Sequence, residues 1–288
     1  MYNNLQDIFY FKGDQACMDI KTQPIIDFHI HPYLNFEEYS CMYNRDFFLT
    51  PDEALRDLKA AGINHVCGSV IKPGCYRIEN GFEQIREMNR TALKLKEVYG
   101  DYYTPGFHIH PAYLKESLEE VEFMHKQGVK LVGELVPYMQ GWEEMGYNYA
   151  SKELWEILEL AGEYGMVVSY HTIAEQQEEM NAMLENNPNV TFVMAHPGQR
   201  TEYEMQLERL KKYPNTYLDL SGSGLFRYGM LVKGVNEVGS KRFVFGTDYP
   251  ISNAGMYVQA LLYEHISDEA RADIYYNNAK ELLGIMEI

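Results

Sequence analysis

Eight short runs rich in β-branched and aromatic residues recur along the chain, each followed by an amphipathic stretch rich in Glu, Lys and Leu. They are PIIDFHIH (24–31), NHVCGSVI (64–71), YTPGFHIH (103–110), VKLVGEL (129–135), MVVSYH (166–171), VTFVMAH (190–196), NTYLDLS (215–221) and RFVFGTD (242–248). Strands separated by helices return as parallel neighbours, so this alternation demands βα units and a parallel sheet. Helices are expected over 51–62, 82–99, 114–127, 151–164, 174–186, 201–212, 229–239 and 267–283. The first opens at Pro51 and closes at Gly62, as helix ends favour. Eight units predict an α/β chain folded as a single (β/α)8 TIM barrel, and 288 residues suit one such barrel. A doubly wound sheet would carry a Gly-rich phosphate turn after the first strand, where this chain has HPYLN.

No Pro/Gly/Ser linker or low-complexity tract divides the chain, so the barrel is expected to occupy 24–288 as one domain, with residues 1–23 forming an N-terminal extension packed on it. With 25 basic and 42 acidic residues the net charge is -17, which would repel a phosphate backbone and excludes nucleic acid as the expected partner. No apolar run approaches the roughly 20 residues of a membrane span. The start MYNNLQDIFYFKGDQ has no basic flank with an apolar core, so the cytoplasm is the expected compartment. Cys17, Cys41, Cys67 and Cys75 lack CxxC spacing and read as reduced thiols. The expected partner is a small-molecule substrate, and a homo-oligomer is compatible with the sequence.

Position then gives the polar residues meaning. His29, His31, His110, Glu134, His171, His196 and Asp248 all fall at or near the carboxyl end of an expected strand. TIM barrels build their sites at that end. Side chains alternate along a strand, so the HxH of FHIH sets His29 and His31 on one side, where two imidazoles can bind one ion. Burying several imidazoles and carboxylates together is costly without a cation. That donor set suits zinc first, with manganese, iron or nickel as alternatives, and one or two divalent ions.

These same motifs carry a family resemblance. IDFHIHP resembles the first-strand HxH of the amidohydrolase superfamily, VSYHT and VMAHPG its fifth- and sixth-strand histidines, and FGTDYP its eighth-strand aspartate motif. YLDLSG and the ending YYNNAKELLGI resemble the group that contains aromatic-acid decarboxylases and lactone hydrolases. The likeness covers about residues 24–284. It implies that His29, His31, His171 and Asp248 ligate the metal or adjoin it, and that His196 binds a second ion or polarises substrate. Where many two-metal relatives carry a modified lysine on strand four, this chain has LVGEL, so Glu134 could bridge two ions. Lys130 sits deeper in that run and reads as a barrel-floor residue. His108, His65, His125 and His265 read as structural or surface residues.

The implied function is a metal-dependent hydrolase of an ester, lactone or amide, working through a metal-activated water with Asp248 and His196 as catalytic groups. The alternative on the same site is non-oxidative decarboxylation of a small carboxylic acid. A catalytically silent metal-binding barrel is the third reading, opposed by Asp248, since a structural zinc is closed by four ligands. Substrate contacts are expected from the loops after the strands: Tyr33, His110, Tyr138 and Trp142, with Arg77, Arg200 and Arg227 as clamps for an anionic group.

Overall fold

The structure is a computed structural model that describes residues 23–39, 47–72, 81–224 and 227–288. All eight expected strands are present in order: β1 (Ile26–Ile30), β2 (His65–Gly68), β3 (Tyr103–Phe107), β4 (Leu131–Leu135), β5 (Val167–His171), β6 (Thr191–Ala195), β7 (Thr216–Asp219) and β8 (Phe243–Val244). Each pairs in parallel with the next. The first and last meet through backbone bonds: Phe28 N–H donates to the Phe245 carbonyl at 2.8 Å, Asp248 N–H to His29 at 2.8 Å and His31 N–H to Tyr249 at 2.7 Å. The sheet therefore closes into a single (β/α)8 TIM barrel. Most strands end short of the β-rich runs because the chain leaves the ladder to enter a loop. His31, His196 and Asp248 stand in those departing segments.

Helices lie between the strands: α1 (Pro51–Ala60), α2 (Glu83–Tyr99), α3 (Leu114–Lys126), α4 (Lys152–Glu163), α5 (Gln177–Asn186), α6 (Arg200–Lys212) and α7 (Met230–Val238). Thr50 and Glu53 cap the start of α1 reciprocally, with Pro51 in the first turn. Two differences from the sequence expectation stand out after β8. A helix, α8 (Ala254–Leu262), forms where none was expected. Its residues AGMYVQALL carry little polarity beyond Gln259 and the Tyr257 hydroxyl, so no polar face marks a helical period. The single helix expected over 267–283 is instead α9 (Asp268–Ala272), a π-helical turn (Asp273–Asn277) and α10 (Asn278–Leu283). Within that turn the Ile274 carbonyl accepts from Phe245 N–H at 2.9 Å, which ties the closing helix to β8.

The main core lies between the strands' outer faces and the helices. A second cluster joins Ile26, Phe28, Cys67, Leu131, Val167, Val193 and Val244 to Ala279 and Leu283 of α10, and floors the barrel. Lys130 and Leu283 line the same cavity at this end, as expected of a floor residue. Among the described residues no helix is long and apolar enough to cross a membrane. Of the N-terminal extension expected over 1–23, residues 1–22 lie outside the described residues.

Candidate active site

β1 delivers two imidazoles whose Nε2 atoms lie 3.2 Å apart. Each is held from behind: His29 Nδ1 donates to Asp219 Oδ2 at 2.5 Å and His31 Nδ1 to the Ser69 carbonyl at 3.1 Å. With Nδ1 committed as donor, each neutral ring presents its Nε2 lone pair to the centre. β4 delivers Glu134, whose Oε2 lies 3.5 Å from His29 Nε2 and 3.6 Å from His31 Nε2. Its Oε1 lies 2.8 Å from His171 Nδ1 and 3.4 Å from His196 Nε2. Asp248 completes the ring of donors, with Oδ1 3.3 Å from His31 Nε2 and 3.7 Å from His29 Nε2.

Local backbone features aim these groups. The ladder register shifts between Asp27 and Ile30 in β1 and between Val132 and Leu135 in β4, at the points where His29 and Glu134 emerge. Such irregularities re-aim a side chain beside a site. Gly133 permits the second: its φ is 95°, and a Cβ there would collide with the Ser169 carbonyl oxygen. His196 and Asp248 adopt φ of 73° and 63°, a left-handed conformation that costs a non-glycine residue about 1–3 kcal/mol. Both belong to the donor cluster.

The charges fit a divalent cation. Burial pushes the His29 imidazole down, but the Asp219 and Glu134 carboxylates override it and hold its pKa well above the ordinary value. Burial also opposes protonation of His196, which Glu134 and Asp248 reverse in the same direction. Conversely, burial would raise Glu134, yet His29 and His171 hold it well below the usual carboxylate range, and Asp248 is lowered against burial by His31, His196 and His29. Without metal, protons on imidazoles supply the positive charge. The donor spacing suits an ion: bonds of about 2.1 Å place tetrahedral ligands roughly 3.4 Å apart and octahedral ones roughly 3.0 Å apart. Two donor groups, His29/His31/Asp248 and His29/Glu134/His196, have all their ligand atoms within 4.8 Å of one another. The cluster is a divalent-metal site, with the half-buried His171 one step outside these groups.

The amidohydrolase family model matches residues 26–285. The chain belongs to the amidohydrolase family. Among solved structures, this amidohydrolase resembles 2,6-dihydroxybenzoate decarboxylase from Rhizobium, with a TM-score of 0.70, 15% identity, and coverage of 91% of this chain and 99% of that one. A dihydroxybenzoic acid decarboxylase from Polaromonas sp. JS666, with bound manganese and 2-nitroresorcinol, gives 0.69 and 16%, covering 91% and 97%. 5-Carboxyvanillate decarboxylase from Sphingomonas paucimobilis gives 0.68 and 13%, covering 92% and 100%. No curated protein sequence matches the chain.

Several residues expected at the substrate lie elsewhere in this amidohydrolase. Tyr33 is buried, donates its hydroxyl to the Leu49 carbonyl at 2.8 Å and packs on Tyr39 and Phe48, so it shapes its own loop. His110 has both ring nitrogens on backbone, Nδ1 accepting from Ala112 N–H and Nε2 donating to the Gln140 carbonyl, which burial supports by lowering its pKa to about 4. Trp142 is fully buried between His110 and Tyr149. These three hold the wall rather than meet the cluster. His108 bonds the Val70 carbonyl and Gln140, as a structural histidine would. Tyr138 is the aromatic at the mouth, 53% exposed and edge-on to His171 at 5.2 Å between ring centres. Arg227 is exposed on the segment after β7 and donates to the Gln199 side chain, Arg200 is exposed at the start of α6, and Arg77 lies outside the described residues.

Asp219 and Ser221 were not singled out from the sequence. Ser221 N–H donates to Asp219 Oδ1 at 2.6 Å, and Ser221 Oγ lies 3.0 Å from His196 Nδ1. The usable signal was place: YLDLS sets Asp219 at the carboxyl end of β7, where the other polar site residues also fall.

Proposed function

We propose that this amidohydrolase is a metal-dependent decarboxylase of a small aromatic acid bearing a hydroxyl beside its carboxylate. The observation that carries this choice over hydrolysis is the recurrence of dihydroxybenzoate and carboxyvanillate decarboxylases among the structures the barrel resembles over nine-tenths of its length. In this reading His29, His31, Glu134, His171 and Asp248 hold or adjoin the ion, and His196 stands beside it. Imidazole and carboxylate donors suit zinc, while the Polaromonas enzyme contains manganese, so both are candidates. An ion held by these residues would supply a positive charge able to polarise the substrate's oxygens.

Asp248 then moves the proton. Held as a carboxylate at neutral pH, it accepts the substrate hydroxyl proton and returns it to the carbon that bears the carboxylate. The carbon–carbon bond then breaks, its electron pair returns to the ring and leaves the phenolate, and carbon dioxide departs. The hydroxyl regains a proton from water on release. Protein loaded with zinc or manganese should release carbon dioxide from 2,6-dihydroxybenzoate, 5-carboxyvanillate or a related hydroxybenzoate. In heavy water the product should carry one deuterium at the vacated carbon.

Hydrolysis is the second reading, favoured by the two overlapping donor groups, which would suit a pair of ions and a water between them. Turnover of lactones, esters or amides, with no carbon dioxide from the aromatic acids, would establish it and defeat decarboxylation.

A further inference from the structure

A helix that is apolar all round belongs in a core, yet α8 has an open side. Ala254, Tyr257, Val258 and Leu261 face inward and are buried. Met256 is 51% exposed and Tyr263 64% exposed, with Gln259 exposed and Ala260 half-buried between them. Positions 256, 260 and 263 are spaced i, i+4 and i+7, which makes one stripe along the helix. Tyr228, 69% exposed, extends the patch by meeting the His265 ring edge-on at 5.5 Å between centres. The two tyrosines alone leave roughly 200–300 Å² uncovered. The face is also held rigidly from behind. Tyr257 donates its hydroxyl to the Gly222 carbonyl, Tyr275 to the Val258 carbonyl at 2.6 Å, and Arg271 to the Leu261 carbonyl at 2.8 Å, so covering the face costs little ordering.

Charge decides what covers it. No Asp, Glu, Lys, Arg or His occurs from Tyr249 to Tyr263, and among the described residues α8 is the one α-helix without a charged side chain. The chain as a whole carries a net charge of -17. A basic partner would be drawn to the acidic surface elsewhere, and an acidic partner would be repelled by the molecule as a whole. Two copies of this chain repel each other as well, but least where neither presents a charge. Uncharged surface with Tyr and Met at its centre is also the composition of an interface core.

We propose that the open side of α8 is a self-association face, through which two copies of this amidohydrolase pair about a two-fold axis. The axis passes beside Ala260, whose small side chain lets the two helices approach, and sets Met256 of each copy against the partner's Tyr263. Gln259 and Tyr228 flank this centre. Because the inner side of α8 holds the Gly222 carbonyl just after β7, pairing braces the rim of the barrel mouth.

Sedimentation of the full-length protein across a concentration series tests the pairing. The unaltered protein should sediment as a dimer at micromolar concentration and dissociate on dilution. Salt should tighten the dimer, because screening relieves the repulsion between two negative copies while an uncharged contact loses nothing. Met256→Lys and Tyr263→Glu should each weaken association by about 30-fold or more, since each buries a lone charge at the centre. The double variant sets opposite charges across the axis and should recover a dimer, now one that salt weakens. Positions seven apart on one helix do not pair within a chain, so recovery reads the contact between copies. Amide exchange in the unaltered protein keeps the test independent of how the variants fold: residues 254–263 should exchange more slowly as protein concentration rises. A monomer at every concentration, a dimer indifferent to both single substitutions, an unaltered dimer that salt dissolves, a double variant no tighter than the singles, or exchange of 254–263 that ignores concentration would each overturn the proposal.

Discussion

Asp248 is the residue whose chemistry is most separable from its shape. Asparagine keeps an oxygen for the ion but cannot take up a proton at neutral pH. Asp248→Asn should therefore retain most of its metal while kcat falls by about 10²–10⁴-fold or more. Metal content and turnover measured on the same preparation check this; a variant with its metal and more than about a tenth of the activity would assign the proton to another group. Asp219 acts at one remove. It orients His29 and keeps its hydrogen on Nδ1, so Asp219→Ala should weaken metal affinity by about 10- to 100-fold. Competition with a chelator measures that shift, and unchanged affinity would make the 2.5 Å contact a packing feature only.

At the scale of elements, the strands do more than carry ligands. β4 turns Glu134 into the centre through a register shift at Gly133, whose backbone runs close to Ser169 of β5. Gly133→Ala combines a left-handed alanine with a backbone collision, and should cost about 3 kcal/mol or more. Denaturant titration of the metal-free protein reads the loss directly. A cost under about 1 kcal/mol would mean that β4 relaxes without harm. The closing segment shows the same coupling, since the Ile274 carbonyl inside the π-helical turn binds the amide of Phe245 beside β8.

For the whole molecule, buried titratable groups set how stability responds to pH. Burial lowers His65, His108 and His110 to about 4 in the fold, from 6.5. Between those values the unfolded chain binds the three protons and the fold does not. Burial raises Asp27 to about 7 from 3.8, so the fold holds one proton there that the unfolded chain lacks. The unfolded chain is left with about two more protons, so stability should fall by about 2.7 kcal/mol per pH unit on acidification from 6.5 to 4. His29 and His196 act oppositely. Their raised values contribute stability that is fully present below 6.5 and lost as pH rises through the folded values. A bound cation replaces those protons, so only the metal-free protein should weaken on the alkaline side. Unfolding measured from pH 4.5 to 9, with and without metal, tests both limbs. Flat stability on acidification would contradict the first, and an alkaline decline that persists with metal the second.

The order of the strands, the closed barrel and the ring of His29, His31, Glu134, His171, His196 and Asp248 were legible in the sequence. Strand and helix periods are local, and a barrel sends every strand's carboxyl end to one mouth, so position along a run gives position in the fold. Other features arise only when distant segments meet. Asp219 stands 190 residues from His29, and nothing in YLDLS tells which ring it will orient. Tyr33, His110 and Trp142 have the right chemistry and the right loops, yet each finds its partners in the wall, because buried polar atoms bind whatever backbone lies nearest. His196 meets Ser221, 25 residues on, at Nδ1, and has its room only because the next residue is a glycine. Local pattern determined the frame and the donors, and tertiary contact decided their orientation and protonation, which depend on neighbours that sequence order does not reveal.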